Sequence, residues 1–218
     1  YSKPALMPWY SWSWAVDGST PKVAYGPDKA NKLLDEAGYP KGANGMRFSL
    51  RYSAFRTSIF GSVEIPQVLK EQWKKIGIDL QVTEYDFAIK AEMIRKNRNF
   101  DLVSDAGIQG PDPDSFVQFL GSNGSSNTAL WKNPVVDKAF AEGRTTTDQA
   151  KRREQYQIVW KEMEKDLPRM NVIEYNLARP YRTDTFGHPW SAAALKAGLG
   201  KDMYNLCWMA SGTEKPAK

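Results

Sequence analysis

Residues 46–83 read MRFSLRYSAFRTSIFGSVEIPQVLKEQWKKIGIDLQVT and decide the fold. Apolar and polar residues alternate over 46–53, which is typical of a half-buried strand. Residues 57–76 then keep roughly one apolar face at helical spacing, and Pro66 predicts either a kink or the true start of this helix. Alternation resumes over 78–83. The stretch therefore predicts a strand, a helix and a second strand.

The flanking sequence extends this pattern on both sides. Gly26-Pro27 predicts the start of a short amphipathic helix, because Pro is favoured at the first helical position. A further helix is predicted over 87–96 and a third strand over 100–104. Strands that alternate with helices indicate a sheet with helices packed on it. Ligands of such sheets bind outside the carboxyl ends of the strands, here the loops after Ser53 and Ser104.

The remaining chain is mainly helical in its C-terminal part. Asn133-Pro134 predicts a helix that runs to Phe140, and Thr147 or Asp148 caps a longer helix that Pro168 stops. The apolar face of this longer helix consists of Ala150, Tyr156, Val159, Trp160 and Met163. Residues 171–175 predict a strand, and residues 1–22, rich in Pro, Trp and Ser, predict an extended segment held by its aromatic side chains.

Composition excludes several classes of protein. The 218 residues are 41% hydrophobic and 12% aromatic, which is enough apolar area for a folded core. No run of apolar residues reaches the ~20 that a membrane-spanning helix needs, and Tyr1 does not open a signal peptide. The single Cys207 cannot form an internal disulfide, and one histidine, His188, without a cysteine cluster excludes structural zinc.

The net charge of +5 comes from scattered basic groups, the densest being 74–75, 95–98 and 151–153. Each group falls on a predicted helix face or helix end, so solvated helix charge accounts for it. A basic module that binds nucleic acid stays an alternative, and it predicts a steep dependence of binding on salt.

Acidic residues crowd the third strand and the loop after it, at Asp101, Asp105, Asp112 and Asp114. Two of them, Asp105 and Asp112, are the candidate acid and base of a glycosidase-like enzyme. The alternative is that Asp112-Pro113-Asp114-Ser115 forms a turn and helix cap, since Asp and Ser side chains accept backbone N–H bonds there. The motifs of a nucleophile elbow, a zinc protease and a phosphate-binding loop are absent from the sequence.

Two more side chains are candidates for ligand contact. Arg56 follows the first strand, at the predicted start of a helix, where a guanidinium and free N–H groups form a corner for a carboxylate. An exposed arginine without function is the alternative. Trp131, near Asn127, is either a stacking platform for a ligand or a plug at the edge of the core.

Several motifs resemble those of one known family, the peptide/nickel-type (family 5) solute-binding proteins of ABC importers. The resemblance runs from about Tyr25 to Arg182, with the motifs in the order of the family. They are YGPDKANKLLDEAGY at 25–39, LKEQWKKIGI at 69–78, FDLV at 100–103, DPDSF at 112–116, and the long helix closed by Leu167-Pro168.

This resemblance implies an α/β fold, a periplasmic-binding-protein-like lobe with a mixed sheet flanked by helices. It implies an incomplete fragment of a two-lobed protein, in which 1–177 is lobe II without its N-terminal part and 178–218 returns to the hinge and lobe I. Such a protein has no catalytic activity and no cofactor, is periplasmic, and delivers its ligand to an ABC permease in the inner membrane. Its partners are the ligand, the permease and lobe I, and nucleic acid is not among them.

The resemblance also suggests the chemistry of the ligand. Arg56 falls where dipeptide-binding members hold the ligand carboxylate. Peptide-binding members use an Asp for the ligand ammonium at the position of Gln109, and a neutral amide cannot supply that charge. Asp105 or Asp112 replaces it, or the ligand is an amino-acid derivative rather than an ordinary peptide. Nickel binding by means of His188 alone is disfavoured.

Overall fold

The computed structural model describes residues 3–5, 9, 11, 13–16, 24–56, 63–104, 112–174, 186–187 and 208–209. The chain divides into two compact units, which are described separately. The helical unit comprises Tyr1–Pro21 and Gln109–Lys218, and the sheet unit is Lys22–Ile108. The predicted boundary between 177 and 178 lies outside the described residues and stays a prediction.

Seven strands and six helices are described, together with three shorter turns. The strands are β1 (Lys3–Pro4), β2 (Phe48–Arg56), β3 (Ile78–Asp86), β4 (Leu102–Val103), β5 (Ile173–Glu174), β6 (Phe186–Gly187) and β7 (Trp208–Met209). The helices are α1 (Pro27–Glu36), α2 (Glu64–Lys74), α3 (Lys90–Glu92), α4 (Val117–Leu120), α5 (Pro134–Gly143) and α6 (Gln149–Asp166). Phe87–Ile89 and Pro113–Phe116 are 3₁₀ turns, and Met93–Asn97 is a π turn. None of the helices in the described part of the chain is long and apolar enough to cross a membrane.

The sheet unit is built on a three-stranded sheet in the order β3-β2-β4. Both pairings are parallel, and the β2–β3 pairing runs from Phe48↔Ile78 to Arg56↔Asp86. This confirms the predicted α/β class with helices between the strands. The antiparallel pair β1–β5 lies in the helical unit, so parallel and antiparallel strands occur in the chain but in different sheets.

The central position of β2 explains its burial. Ser53, Ala54 and Phe55 are buried in succession, because β2 has a strand on each edge and is covered on both faces at this level. Ile78 and Leu80 of β3 are buried as well. The strand alternation predicted from the sequence therefore holds in the first half of β2 and gives way to full burial in the second.

A buried guanidinium ties α1 to the sheet. The side chain of Arg47 is 2% exposed and forms an ion pair with Asp35 of α1. It also donates to the side-chain oxygen of Asn31 at 3.0 Å, to the carbonyl oxygen of Ile76 at 2.9 Å, and to that of Tyr39. The N–H groups of this arginine therefore join three segments of the unit, which offsets the cost of removing the charge from water.

Two predicted helices of the sheet unit differ in detail from the structure. For the helix predicted over 57–76, the alternative that Pro66 marks the true start is confirmed: α2 begins at Glu64, with Pro66 in its first turn, where a missing N–H costs little. The segment predicted as a helix over 87–96 is a 3₁₀ turn, one α-helical turn and a π turn in succession. The left-handed Arg98 (φ 45°) ends it.

The helical unit has its core where α5 and α6 meet the segment before α4. Trp9 is 3% exposed, and its ring lies 5.0 Å from that of Phe116 and 6.1 Å from that of Tyr156. The predicted apolar face of α6 is confirmed for its last four members, all of which are buried: Tyr156, Val159, Trp160 and Met163. Ala150 is exposed, because the first turn of α6 extends beyond the core.

Helix ends in this unit follow the predicted chemistry. The side chain of Asn133 accepts from the N–H groups of Val135 and Val136, and that of Asp148 caps α6 in the same way. Leu167, in the left-handed conformation (φ 46°), ends α6 directly before Pro168. The predicted strand over 171–175 is described at β5, which pairs with β1.

A second guanidinium on the sheet has an exposed carboxylate partner. Arg51 donates to Asp101 through its backbone N–H (2.7 Å), Nε (3.1 Å) and Nη2 (2.8 Å). The amide of Asp101 returns a bond to the carbonyl oxygen of Arg51 at 3.0 Å. These side-chain and backbone hydrogen bonds from Arg51 lower the pKa of Asp101 to about 2. The pair fixes the approach of β4 to β2.

This pair predicts a defined pH window. Because the folded-state pKa of Asp101 lies below its ordinary value of 3.8, its ionised form adds stability above about pH 4, and that contribution disappears as the pH falls towards 2. The free energy of unfolding of Asp101→Asn should therefore be lower than that of the unmodified chain at neutral pH, and the gap should close on acidification. Urea unfolding across this range measures it. In the Arg51→Met background the gap should be smaller but not zero, because the backbone N–H of residue 51 still donates to Asp101. A gap that persists unchanged to pH 2 would contradict the assignment.

Candidate ligand-binding site

The carboxyl ends of β2, β3 and β4 lie along one edge of the parallel sheet, where the sequence places the candidate loops. Arg56 is the last residue of β2, and Ser104 follows β4. Of the other candidates, Asp105, Gln109 and His188 lie outside the described residues. Their predicted roles stay predictions.

Arg56 presents an exposed guanidinium at this edge. Its side chain is 71% exposed, and Nη2 lies 2.9 Å from Oε2 of Glu84 on the neighbouring strand. The prediction that a helix begins directly after Arg56 is wrong for α2, which begins at Glu64. The first-turn amides of α2 therefore do not directly follow Arg56 in sequence, and of the predicted carboxylate corner the described residues hold the guanidinium.

Aromatic rings and a second cation border the same edge. Phe55, next to Arg56, is buried, whereas Phe87 directly after β3 is 54% exposed. The ammonium of Lys90 lies 5.9 Å from the ring centroid of Phe55 and 5.4 Å from that of Phe87. This edge therefore combines an exposed guanidinium with accessible apolar surface at Phe87, which suits a ligand that carries both a carboxylate and an apolar side chain.

A hydroxyl pair lies between β2 and the end of β4. The hydroxyl of Ser104 donates to the phenolic oxygen of Tyr52 at 3.0 Å. Burial raises the pKa of Tyr52 above its ordinary value, and the bond from Ser104 acts in the opposite direction. Tyr52 is therefore a neutral group that helps to fix Ser104 directly after β4.

The acidic turn that begins at Asp112 has the predicted cap geometry. Oδ1 of Asp112 accepts from the backbone N–H of Asp114 at 3.0 Å, and the hydroxyl of Ser115 donates to the carbonyl oxygen of Asp112 at 2.8 Å. Asp114 accepts from Nε of Arg144 at 2.8 Å. The interpretation of this segment as a turn and helix cap is confirmed by the 3₁₀ turn that starts at Pro113.

The carboxylate of Asp112 is also held from the other side by Arg152. Nη1 and Nη2 of Arg152 lie 2.7 and 2.8 Å from the two carboxylate oxygens of Asp112, a bidentate pair. The same guanidinium donates to the hydroxyl of Tyr156 at 2.7 Å and to the carbonyl oxygen of Gly143 at 2.9 Å. It lies 5.1 Å from the ring centroid of Trp14. Both oxygens of Asp112 are thus engaged within the unit, which makes the residue a structural part of the turn.

Sequence reasoning missed Arg152 because it stands in the basic group 151–153, which predicted a solvated helix face. The side chain of Arg152 is only 17% exposed, and Arg153 donates to the carbonyl oxygen of Trp14 at 2.9 and 3.1 Å. Lys151 alone is exposed. A usable signal was the spacing of Arg152 four residues before the apolar Tyr156, which places both on one face of α6.

Trp131 has the contacts of a core-edge plug. Its side chain is half-buried against the core of the helical unit, and its indole N–H donates to Asp166 at 2.9 Å. The buried Asn127 holds its backbone: the amide of Trp131 donates to Asn127 at 3.1 Å, and its carbonyl oxygen accepts at 2.7 Å. These contacts favour the plug over the stacking platform.

A groove of about 460 Å³ lies between α4, the turn at 121–125 and α5. Its two charged lining residues are engaged within the unit, Asp137 by the backbone N–H of Ser122 at 2.8 Å and Arg144 by Asp114. The groove therefore offers a ligand mainly uncharged contacts. Within the described ranges, no group of three or more His, Cys, Asp or Glu side chains is arranged to hold a metal ion.

Comparison with known proteins decides the family. Residues 1–128, more than half of the chain, match the middle part of the bacterial extracellular solute-binding proteins, family 5. The chain belongs to this family. This confirms the resemblance stated from the sequence motifs, and since family 5 consists of solute-binding proteins, it also confirms that the chain is not an enzyme.

Three proteins illustrate how the family 5 chain compares with its relatives. The periplasmic oligopeptide-binding protein OppA of Haemophilus influenzae is 31% identical over 159 residues, which are 71% of this chain and 29% of that protein. A dipeptide-binding protein from Pseudoalteromonas sp. SM9913, solved with Met-Leu, has a TM-score of 0.65 at 26% identity and covers 79% of this chain and 34% of that one.

The third is the oligopeptide-binding protein AppA of Bacillus subtilis, solved with a nonapeptide. It matches 96% of this chain and 43% of that one, with a TM-score of 0.72 at 21% identity, and this likeness supports the fold alone. The family 5 chain thus spans 29% to 43% of the length of these three proteins.

The contacts of Arg152 predict its effect on stability. Arg152→Met should lower the free energy of unfolding by about 2 kcal/mol, because the hydroxyl of Tyr156, the carbonyl oxygen of Gly143 and the carboxylate of Asp112 all lose a donor. Arg152→Lys should recover only part of it, since an ammonium cannot form the bidentate pair. Urea unfolding of the variants measures both changes.

Lys151→Met is the matched control, because it removes the same charge from the neighbouring, exposed position of α6. It should change the free energy of unfolding by less than about 0.5 kcal/mol. Equal losses for the two methionine variants would show that Arg152 acts only through net charge.

Proposed function

We propose that the chain is the lobe II part of the substrate-binding component of an ABC importer, which binds peptides or related amino-acid derivatives and delivers them to a permease in the inner membrane. Membership of family 5 supports this, as do the relatives named for oligopeptide and dipeptide binding. Residues 1–177 form the lobe and residues 178–218 return to the hinge and lobe I. The protein is periplasmic, as the name of the Haemophilus relative suggests.

The exposed guanidinium of Arg56 at the carboxyl edge of the parallel sheet is the observation that carries the proposal. A guanidinium offers five N–H donors in a fixed plane that matches a carboxylate. Phe87, which is exposed directly after the neighbouring strand, supplies apolar contact for an adjoining side chain. Arg56 therefore holds the carboxylate of the ligand, and the ligand carries an apolar group close to it.

The mechanism is closure of two lobes around the ligand. A ligand that contacts both lobes binds the closed state more tightly than the open one, and this difference in affinity shifts the population towards closure. Gln109 and Asp105, which precede the acidic turn, are the proposed contacts for the other polar groups of the ligand. Asp112 and Trp131 act by holding the turn and the core edge, since their polar groups are engaged within the unit.

Arg56→Ala in the complete gene product should weaken the binding of a dipeptide such as Met-Leu by roughly 10- to 100-fold, because a charge-assisted hydrogen-bonded contact is lost. Isothermal titration measures it, with the C-terminal amide of the same peptide as the second ligand. The amide should bind the unmodified protein weakly, and Arg56→Ala should reduce its affinity little further. Such non-additive losses are expected when the side chain of Arg56 and the ligand carboxylate are in direct contact. Arg95→Ala removes one exposed cation from the same unit and should leave both affinities unchanged.

The two-lobe mechanism makes a separate prediction. The chain of residues 1–218 alone should bind the same peptide at least about tenfold more weakly than the complete gene product, because the contacts of the other lobe are missing. Titrating both proteins in the same buffer decides it. Equal affinities would overturn the mechanism of closure while leaving the family membership intact.

A further inference from the structure

The face of the sheet that bears Arg56 changes character along the strands. On the paired strands, residues two apart share a face, and the positions of this face on β3 are Ile78, Leu80, Val82, Glu84 and Asp86. The first two are buried, whereas Glu84 and Asp86 are exposed. On β2 the buried Ala54 is paired with Glu84 in register, and Arg56 with Asp86. An apolar face thus ends, at the carboxyl edge, in one cation and two carboxylates.

One of these carboxylates contacts the cation, and the other does not. Glu84 reaches Arg56 with a single contact of 2.9 Å at Nη2. No hydrogen bond or ion pair within the described residues involves the side chain of Asp86. The contact between Arg56 and Glu84 uses one N–H, unlike the bidentate pair of Arg152 with Asp112, and both partners are accessible to water, at 71% and 37%.

We propose that Glu84 competes with the ligand carboxylate for Arg56 and thereby lowers the affinity of this site for carboxylate ligands. The inference rests on the proposed function, in which Arg56 holds the ligand carboxylate. A guanidinium can bind a carboxylate with two N–H groups in two ways, through Nη1 and Nη2 or through Nε and Nη2. Nη2, the atom that Glu84 contacts, takes part in both. A bound ligand therefore either displaces Glu84 or shares the guanidinium with a second negative charge, and each alternative weakens binding.

The competition is effective because Glu84 is tethered. It is held on the neighbouring strand and stays close to Arg56 at every ligand concentration, so each ligand that needs this guanidinium loses affinity by the same factor. A ligand with further contacts to the protein still binds, because those contacts supply the free energy that displaces Glu84, whereas a small anion that contacts Arg56 alone has no other contacts to draw on. The pair is exposed, so the effect is modest in size.

Glu84→Gln in the complete gene product is the test, with titration of the dipeptide Met-Leu and its C-terminal amide. The variant should bind the free carboxylate about threefold more tightly, the size expected from losing one exposed ionic competitor, and the amide with unchanged affinity. The affinity for acetate, measured from its competition with the dipeptide, should rise by a similar factor, since Glu84 no longer competes with it for Arg56. Glu84→Ala serves as a second variant, and thermal unfolding checks that both fold.

Two carboxylates of the same strand supply matched controls. Asp79→Asn makes the same change in charge at the far end of β3, where Asp79 accepts from Ser49, and it should not alter binding. Asp86→Asn makes the same change in charge next to Arg56 but removes no ion pair. Its effect on the affinity for the carboxylate ligand should therefore be smaller than that of Glu84→Gln. An equal gain in Asp86→Asn would show that only the local potential matters, which overturns the competition.

The outcomes separate this inference from the proposed function. If Arg56→Ala weakens binding but Glu84→Gln leaves it unchanged, the competition is wrong and the role of Arg56 stands. If Glu84→Gln weakens binding, Glu84 orients Arg56 rather than competing, and the inference is again wrong. If Arg56→Ala has no effect on binding, the proposed contact of Arg56 fails first, and the inference fails with it.

Discussion

Nine consecutive residue pairs join β2 to β3 in parallel, from Phe48↔Ile78 to Arg56↔Asp86. A slip of one residue would turn every side chain of β3 to the opposite face, and Leu80 would leave the core. Because the register is fixed by this apolar burial, the position of the charged residues at the end of the strands is fixed as well. The packing of the core thus places Arg56 beside Glu84, although neither residue belongs to it.

Three arginines show how the surroundings decide what a guanidinium does. The side chain of Arg47 is buried and that of Arg152 is mostly buried, and both donate to several backbone and side-chain oxygens, so each stabilises its own unit. Arg56 has one carboxylate partner and remains 71% exposed, so most of its N–H groups face water. An arginine whose N–H groups are all bonded within the protein has no donor left for a ligand. An exposed arginine with a single, weak partner still has donors that a ligand can bind.

The sequence predicts local structure well where the chemistry is local. The caps at Asn133 and Asp148 and the buried face of α6 follow from hydrogen-bonding side chains and helical spacing, and the structure has them. For α2 the sequence leaves two alternatives open, a helix over 57–76 that is kinked at Pro66 or a helix whose true start Pro66 marks, because apolar residues at 57–63 continue the helical spacing. The structure has the second, with its start at Glu64. Hydrophobic periodicity alone cannot decide between these two starts of α2.

Contacts between distant segments are the part that spacing does not reveal. Arg152 and Asp112 are 40 residues apart, and nothing in either local pattern links them. A basic group on a helix and an acidic turn each have an ordinary solvated interpretation, and only packing of α6 against the turn brings them together. The same holds for Arg56 and Glu84, 28 residues apart, whose contact follows from the parallel register rather than from either strand alone.

The electrostatic interactions of the exposed pair Arg56 and Glu84 become stronger when the proposed lobes close. In the open state water solvates both groups, and their attraction is worth little. Closure removes water from the site, and two carboxylates beside one guanidinium then leave an excess negative charge in a region of lower dielectric, which is costly. The closed state therefore favours one carboxylate at Arg56, and the ligand must either move Glu84 into solvent or carry a compensating cation. A ligand with both an ammonium and a carboxylate meets the second condition, which is the electrostatic argument for a peptide or amino-acid derivative at this site.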